Sequence, residues 1–313
     1  MHPMTTLYIT HPAALDHIPP LGHPERPDRI RVVDRVLEQE AFQSLARDQA
    51  PVCAIDRIAL CHTQDYIDAI REAAPTEGMV QLDSDTSMSP GTYEAALRAV
   101  GGAVLAVDEV MTGRVANAFC AMRPPGHHAE ITQPKGFCFF NNAAIAARHA
   151  RDRHGAERVA VIDFDVHHGN GTQDIFYTRC DVLFVSLHAD PVQEYPYYLG
   201  FSDETGEGAG EGANVNYPLP FGTGFEAWRA ALDDALSRIA AFRADALVVS
   251  LGVDTYEGDP ISRFRLDTAD YPVIGAALAG AGLPTLFVME GGYAVEAIGV
   301  NAVGVLQGFA DAA

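Results

Sequence analysis

The sequence has few cysteines and no C-x-x-C pair. The five cysteines are dispersed over 313 residues at positions 53, 61, 120, 138 and 180. An odd number of scattered thiols argues against a disulfide framework and is typical of a reducing compartment. The first 17 residues also lack a basic segment followed by an apolar one, so no secretory signal is expected. We therefore predict a cytoplasmic protein.

Basic residues are scarce as well. The chain has 21 Lys and Arg against 42 Asp and Glu, which gives a formal net charge of -21. A nucleic-acid-binding surface needs clustered positive charge to replace the counterions around phosphates, so DNA and RNA are not expected partners. A strongly negative field attracts cationic small molecules, although an acidic surface that only confers solubility is the commoner explanation.

Uninterrupted hydrophobic runs of membrane-spanning length are also missing. The uncharged stretch between Asp270 and Glu290 is long enough to cross a bilayer, but its prolines and glycines divide it into helix, turn and strand. No membrane partner is predicted. The sequence contains no low-complexity segment, internal repeat or linker, which favours a single domain over residues 1–313. None of these features indicates an oligomeric state.

From about residue 91 onward, helical patterns alternate with short apolar runs. The strand-like runs are 118–122, 158–165, 182–188, 246–254 and 285–293, and the helical patterns include 92–110, 143–153 and 228–242. This alternation is typical of βαβ units, and strands that are apolar on both faces need helices on both sides. We predict an α/β fold, a three-layer sandwich with a central, mostly parallel sheet. Before residue 91 the pattern is less regular, with one helix predicted to about residue 45.

Chemically reactive residues follow the ends of the predicted strands. The sequences at these ends are RPPGHH (123–128), DFDVHHGNG (163–171), SLH (186–188), GVD (252–254) and EGGY (290–293). Ligands of open parallel sheets bind outside the carboxyl ends of the strands, so we expect the functional site here.

Three residues at these strand ends have the composition of a metal site. Asp165 and His167 lie two apart as a strand ends, which points both side chains to one face, and Asp254 ends another strand. Three His and carboxylate ligands with one open position suit a catalytic zinc. An isolated D-x-H is more often a polar loop, and the surrounding motif is what favours metal binding.

Two further groups suit acid–base chemistry and charge stabilisation. His127 and His128 follow a stiff Pro-Pro-Gly turn, and imidazoles transfer protons near neutral pH. Tyr293 ends another strand, where a phenol can donate a hydrogen bond to an oxyanion. Taken singly, an incidental His pair and a packing tyrosine are the commoner interpretations. Their position beside a predicted metal site favours the catalytic ones.

Together, RPPGHHA, GFCFFNN (136–142), DFDVHHGNGTQDIFY (163–177), SLH, GVD and EGGY resemble the histone deacetylase superfamily, in the branch of class II deacetylases and acetylpolyamine amidohydrolases. The resemblance covers about residues 90 to 310, with six motifs in the family's order. It implies the arginase/deacetylase fold and an enzyme that hydrolyses N-acyl amines such as acetylpolyamines or acetyl-lysine. It also implies one Zn²⁺ bound by Asp165, His167 and Asp254, which activates water and polarises the scissile carbonyl.

The resemblance also implies roles for the neighbouring residues. His128 would act as general base and then acid, His127 would act electrostatically beside Asp163, and Tyr293 would hold the oxyanion. Asn170 would orient His128, as in class II enzymes, where class I enzymes place an Asp. The resemblance further implies a structural K⁺ site, formed by Asp163, Ser186 and the backbone carbonyls of Asp165, His167 and Leu187.

Substrate selectivity is less clearly indicated. The resemblance places Gly136, Phe137, Tyr195 and Ile261 along a substrate channel. Residues 188–220 and 252–266 are similar to bacterial acetylpolyamine amidohydrolases, whereas GHPERPDR (22–29) resembles class II deacetylases. The dimer-forming insertion of the former has little room here between Tyr66 and Pro90. Acidic residues expected near the channel mouth, where they would attract a cationic amine, are Glu25, Asp83, Asp85, Asp203 and Glu204.

Two other functions fit parts of this pattern. A non-catalytic acyl-group binder would keep the pocket without the reaction, but all three ligands, both histidines and the tyrosine are present. A two-manganese ureohydrolase on the related arginase fold would need further Asp and His ligands. The neighbouring positions are instead Phe164, Val166 and His168.

Overall fold

A computed structural model describes residues 6–313. Residues 1–5, part of the segment considered above for a secretory signal, lie outside the described residues. The strands are β1 Thr6–Thr10, β2 Ala46–Gln49, β3 Val80–Gln81, β4 Ser87–Met88, β5 Asn117–Cys120, β6 Val159–Asp163, β7 Val182–Ala189, β8 Asn214–Leu219, β9 Ala246–Leu251 and β10 Thr285–Met289. The helices are α1 Asp28–Leu37, α2 Ile55–Ile58, α3 Gln64–Ala73, α4 Thr92–Met111, α5 Asn142–His154, α6 Asn170–Phe176, α7 Phe225–Phe242, α8 Asp270–Ala279 and α9 Val295–Ala312.

Eight of the strands form one sheet in the order β2-β1-β5-β10-β9-β6-β7-β8. Each neighbouring pair in this sheet is parallel. Parallel neighbours require crossover connections, and helices supply them here. The helices pack in groups, α4 with α5, and α9 with both α1 and α8. The predicted α/β fold with a mostly parallel central sheet is confirmed.

Each of the five predicted strand runs contains a strand, but four end earlier than predicted. The strands β5, β6, β9 and β10 stop at Cys120, Asp163, Leu251 and Met289, so the polar residues that follow lie in loops. The strands β1, β2, β3, β4 and β8 were not predicted. The edge strand β2 reads ARDQ and is largely exposed, so it carries no apolar pattern. The predicted helix to about residue 45 ends at Leu37, before a single 3-10 turn at Glu40–Phe42.

The central strands are buried on both faces. Val161, Phe184, Val249 and Phe287 are fully buried, and Phe164 packs edge-to-face on Trp228 with ring centroids 5.9 Å apart. Because both faces are covered, the strand register is strongly specified. That register sets the ends of β6, β7 and β9 side by side at one edge of the sheet. Within residues 6–313, no helix combines the length and the apolar character needed to cross a membrane.

Candidate active site

Asp165, His167 and Asp254 meet just beyond the carboxyl ends of β6 and β9. The Nδ1 atom of His167 lies 2.9 Å from Oδ1 of Asp165 and 3.2 Å from Oδ2 of Asp254, and all three side chains are buried. In residues 6–313, this is one of two groups of His and carboxylate side chains whose ligand atoms all lie within 4.8 Å of one another. The adjacent strands therefore bring the three predicted ligands together.

Backbone amides orient the two carboxylates and leave one oxygen without a hydrogen bond. Gly291 N–H donates to Oδ2 of Asp165 over 2.7 Å, and Val166 N–H donates to Oδ1 of Asp254 over 2.8 Å. Oδ2 of Asp254 is buried and has no hydrogen-bond partner among the described residues. Burial, followed by the charge of Asp165, raises the pKa of Asp254 to about 8. A buried carboxylate oxygen left unpaired is costly, and a bound cation would remove that cost, so the donor set fits a divalent metal.

Glycines provide the space in which these carboxylates sit. A Cβ on Gly291 would lie 2.3 Å from Oδ2 of both Asp165 and Asp254. A Cβ on Gly252 would lie 2.4 Å from Oδ2 of Asp165. Real Cβ atoms do not approach oxygen this closely, so only glycine fits at either position without moving a predicted ligand.

The two neighbouring histidines have different partners. Nδ1 of His127 lies 2.9 Å from Oδ2 of Asp163, and Nδ1 of His128 lies 2.7 Å from Oδ1 of Asn170. Burial alone would lower the pKa of His127, but the charges of Asp163 and Asp165 raise it to about 10. A cation bound at Asp165 would weaken this effect. Burial, together with positive charge on His127 and His167, lowers the pKa of His128 well below its usual value. These surroundings favour the uncharged form of the His128 imidazole.

Tyr293 is held in place through the turn that precedes it. Its backbone N–H donates to Oδ2 of Asp259 over 2.6 Å. Arg29 donates from Nε to the carbonyl of Gly292 over 2.6 Å and from Nη2 to that of Glu290, and its guanidinium carbon lies 4.8 Å from the centre of the Tyr293 ring. The tyrosine is thus fixed by backbone and ring contacts, while its hydroxyl has no hydrogen-bond partner within residues 6–313.

A cavity of about 210 Å³ connects these groups to solvent. Its lining consists of Asp85, His128, Gly136, Phe137, His167, Glu194, Tyr195, Ile261 and Tyr293. All four predicted channel residues are in this set. A Cβ on Gly136 would lie 2.3 Å from Cδ2 of His128, so glycine is needed there for the channel wall to approach the imidazole. The cavity therefore joins His167, the predicted base and the predicted oxyanion donor in one space, and the other two predicted ligands, Asp165 and Asp254, contact His167.

Comparison with known proteins identifies the family. A model of the histone deacetylase domain matches residues 23–309. The chain belongs to the histone deacetylase family. This family member is 57% identical over 236 residues to acetylpolyamine amidohydrolase 1 of Pseudomonas aeruginosa, a match that covers 75% of this chain and 68% of that protein.

Two further relatives support the same placement. The histone deacetylase-like amidohydrolase of Pseudomonas aeruginosa is 38% identical over 279 residues, which cover 87% of this chain and 73% of that protein. A crystal structure of acetylpolyamine aminohydrolase from Burkholderia pseudomallei matches with a TM-score of 0.91 at 33% identity, over 98% of this chain and 99% of that chain. The predicted superfamily and arginase/deacetylase fold are confirmed, and the relatives support an enzyme of the deacetylase or amidohydrolase type.

The acidic residues expected at the channel mouth of this family member are distributed differently. Asp85 alone of the five lines the cavity, and Glu194, which was not predicted, lines it too. The expectation for Glu25 is wrong, because its carboxylate is fully buried between Arg29 and Arg123. Burial alone would raise the pKa of Glu25, but Arg123 holds it well below its usual range. Glu25 therefore supports Arg29, and through it the turn before Tyr293.

Two other carboxylates of the site were not singled out from the sequence. Oε2 of Glu290 accepts hydrogen bonds from the N–H groups of Gly126 and His127, at 2.7 and 3.1 Å, and so holds the loop that carries both histidines. Oε1 of Glu130 accepts from Nδ2 of Asn170 over 2.7 Å. Glu290 lies inside the quoted EGGY motif and Glu130 directly follows RPPGHHA, so proximity to the motifs was the available signal.

The contact with Glu130 determines which nitrogen of His128 carries a proton. A carboxylate only accepts hydrogen bonds, so the NH₂ group of Asn170 faces Glu130 and its oxygen faces His128. Nδ1 of His128 must then donate to that oxygen, which leaves the lone pair of the ring on Nε2. Nε2 has no hydrogen-bond partner among the described residues. The pair Glu130–Asn170 thus keeps the lone pair of the neutral His128 ring on Nε2.

Replacement of Glu130 by alanine is expected to lower kcat by about tenfold to a hundredfold, because the freed amide of Asn170 can turn its NH₂ group toward His128. Glu130→Gln should retain most activity, since its amide oxygen can still accept from Asn170. Steady-state kinetics across pH with an N-acetyl amine measures both variants. Equal activity of Glu130→Ala and the wild type would contradict this positioning role.

The predicted potassium site stays a prediction. Asp163 and Ser186 lie opposite each other on the adjacent strands β6 and β7. Their side chains have protein partners, since Asp163 contacts His127 and Oγ of Ser186 lies 2.8 Å from Nδ1 of His188. These contacts are compatible with a packed polar core as well as with a cation.

Proposed function

We propose that this protein is a zinc-dependent amidohydrolase that removes acyl groups from small cationic amines. The observation that carries the proposal is a cluster of three potential metal ligands, one of which, His167, lines a single cavity together with the imidazole of His128 and the phenol of Tyr293. We further propose that residues 1–313 act as one catalytic domain in the cytoplasm. The named relatives, which include acetylpolyamine amidohydrolases, support the proposed chemistry.

Asp165, His167 and Asp254 would hold the zinc ion. Nδ1 of His167 and one oxygen of each carboxylate already face one another, while backbone N–H groups hold the remaining carboxylate oxygens. When bound, zinc acts as a Lewis acid that polarises the substrate carbonyl and makes water a better nucleophile at neutral pH. All three ligand side chains are buried, which limits the access of bulk solvent to them.

His128 would move the protons. With Nδ1 donating to Asn170, Nε2 can take a proton from the attacking water and later deliver it to the departing amine. The ring centroid of His127 lies 3.9 Å from that of His128. Because His127 is paired with Asp163, it would contribute charge more than proton transfer. The two imidazoles would titrate as a coupled pair.

Tyr293 would stabilise the oxyanion. Its phenol lines the cavity, and burial raises its pKa well above the usual value, so the hydroxyl keeps its proton at neutral pH and remains a donor. A fixed donor aimed at developing negative charge needs no reorganisation during the reaction, which is why such groups contribute strongly to rate.

The cavity lining favours a linear amine with positive charge. Phe137 and Tyr195 supply aromatic walls, which suit an aliphatic stem and a nearby cation. Asp85 and Glu194 add two carboxylates to the same lining. We therefore propose acylated polyamines as preferred substrates, with acyl-lysine peptides as a second class.

Removal of metal is expected to abolish hydrolysis, and added Zn²⁺ is expected to restore it. The protein would be treated with a chelator, dialysed, and assayed by mass spectrometry before and after zinc addition. The substrates would be acetylputrescine, acetylspermidine, an acetyl-lysine peptide and a neutral acetanilide, with the cationic amines expected to show the highest kcat/KM.

The same experiment separates the alternatives. Binding of these amides by zinc-loaded protein without release of acetate would indicate a non-catalytic acyl-group binder. Two manganese ions that are both lost in Asp254→Asn would indicate the ureohydrolase chemistry. Full activity of the metal-free protein would exclude the proposed mechanism.

A further inference from the structure

A second group of potential metal ligands lies between α4 and α5, among residues that do not line the catalytic cavity. Nε2 of His149 and Nε2 of His154 lie 2.8 and 2.7 Å from the same oxygen, Oδ1 of Asp108. The side chain of His149 is 4% exposed, that of His154 16% and that of Asp108 40%. It is the other group of such side chains in residues 6–313 whose ligand atoms all lie within 4.8 Å of one another.

The convergence of these side chains is not a product of helix periodicity. His149 and His154 are five residues apart on α5, which corresponds to about 140° around a helix axis, so they do not share one face. Their rings are nevertheless only 5.7 Å apart between centroids. They meet because Asp108 reaches across the interface of α4 and α5 and accepts from both.

The donor set and its spacing suit a divalent transition metal. Two imidazoles and a carboxylate are typical zinc ligands, and donors at 2.0–2.1 Å from a tetrahedral ion lie about 3.3 Å apart. The two N–O distances are shorter than this, so the carboxylate would retreat by about 0.5 Å when an ion enters. Asp108 is partly exposed and has room to do so.

The surroundings allow an ion to enter and to keep a water ligand. Asp108 and His149 line a surface cleft of about 360 Å³. Arg57 also lines it, but its charge is compensated by Asp56 and Asp152 at 2.8 and 2.9 Å. Arg153 is the remaining cation of the cleft, against a chain with a net charge of -21. The cleft therefore presents little electrostatic barrier to a divalent ion.

We infer that Asp108, His149 and His154 form a second, peripheral site for a divalent transition-metal ion such as Zn²⁺, which ties α4 to α5. An ion that binds only the folded arrangement stabilises it, so added zinc raises the melting temperature through this site. The site takes no part in hydrolysis.

The test is the zinc content of the full-length protein after equilibrium dialysis against Zn²⁺, measured by elemental mass spectrometry. The wild type is expected to hold two zinc ions per chain, and His154→Ala and Asp108→Asn one, with hydrolysis unchanged. Glu109→Gln, which removes the same charge at the adjacent position, should hold two. The rise in melting temperature on zinc addition should be smaller in His154→Ala than in Glu109→Gln.

Asp254→Asn separates this inference from the proposed catalytic site. It should lose the catalytic ion, retain the peripheral one and be inactive. A wild type with a single zinc that disappears in Asp254→Asn would overturn the second site and leave the proposed function standing. Equal zinc content in the wild type, His154→Ala and Asp108→Asn would also overturn the peripheral site. Loss of the only zinc in His154→Ala, with none lost in Asp254→Asn, would support the peripheral site and contradict the catalytic one.

Discussion

Substitution of Tyr293 by phenylalanine is expected to lower kcat by about 10²- to 10³-fold with little change in zinc content. The variant removes one hydroxyl and keeps the ring, which packs on Phe137 with centroids 6.0 Å apart and lies beneath Arg29. Since these contacts and the backbone bond to Asp259 persist, the fold and the metal ligands stay in place. Steady-state kinetics with acetylputrescine, together with metal analysis, measures the effect.

Tyr195 offers a matched control in the same cavity. Its hydroxyl is buried and has no hydrogen-bond partner among the described residues, so Tyr195→Phe removes the same atom without removing a hydrogen bond. Its kcat should stay within a few-fold of the wild type. Similar losses in both variants would mean that a phenol at position 293 only shapes the cavity. No loss in Tyr293→Phe would refute the oxyanion role.

Gly291→Ala is expected to eliminate tight zinc binding and, with it, hydrolysis. The added Cβ would lie 2.3 Å from Oδ2 of Asp165 and of Asp254, so both carboxylates must move. A metal site tolerates ligand displacements of only about 0.2 Å. Loss of a catalytic metal removes several kcal/mol of transition-state stabilisation, and about 1.4 kcal/mol corresponds to tenfold in rate, so activity should fall by more than about 10³-fold.

Gly224→Ala is the matched control, because nothing lies within 4 Å of a Cβ at that position. It should keep its zinc and its activity. Melting temperatures of both variants, recorded in the presence of chelator, distinguish metal loss from unfolding. If Gly291→Ala fails to fold, Asp254→Asn tests the same site without added bulk. Full zinc content and activity in Gly291→Ala would contradict the described packing of the carboxylates.

The sequence was most informative where chemistry and strand ends coincide. Each apolar run leads to a strand, and polar residues at such ends have no packing reason to be there, which is why Asp165, His167 and Asp254 stood out. The alternation of helical patterns with apolar runs predicted a parallel sheet. Because parallel strands gather their carboxyl ends on one edge of the sheet, these residues were expected to meet. The edge strand β2 shows the limit of this reasoning, because a strand whose side chains are mostly exposed needs no apolar pattern.

Charged residues were harder to place, because a carboxylate looks the same in sequence whether it is solvated or buried. Glu25 was expected at the channel mouth and instead lies between two arginines, one of them 98 residues away along the chain. Glu194 reaches the cavity without any motif to mark it. Such placements depend on which distant cations and N–H groups are available to offset the cost of burial.

The sequence by itself therefore determined the fold class, the family and the residue types of the proposed site, since these follow from periodicity and from motifs local to strand ends. Only the tertiary structure decided the strand order, the support of His128 by Glu130, the anchoring of Tyr293 by Arg29, and the meeting of His149 and His154 at Asp108. The physical reason is that each of these contacts joins separate elements, and its energy depends on burial and distance that no local pattern encodes.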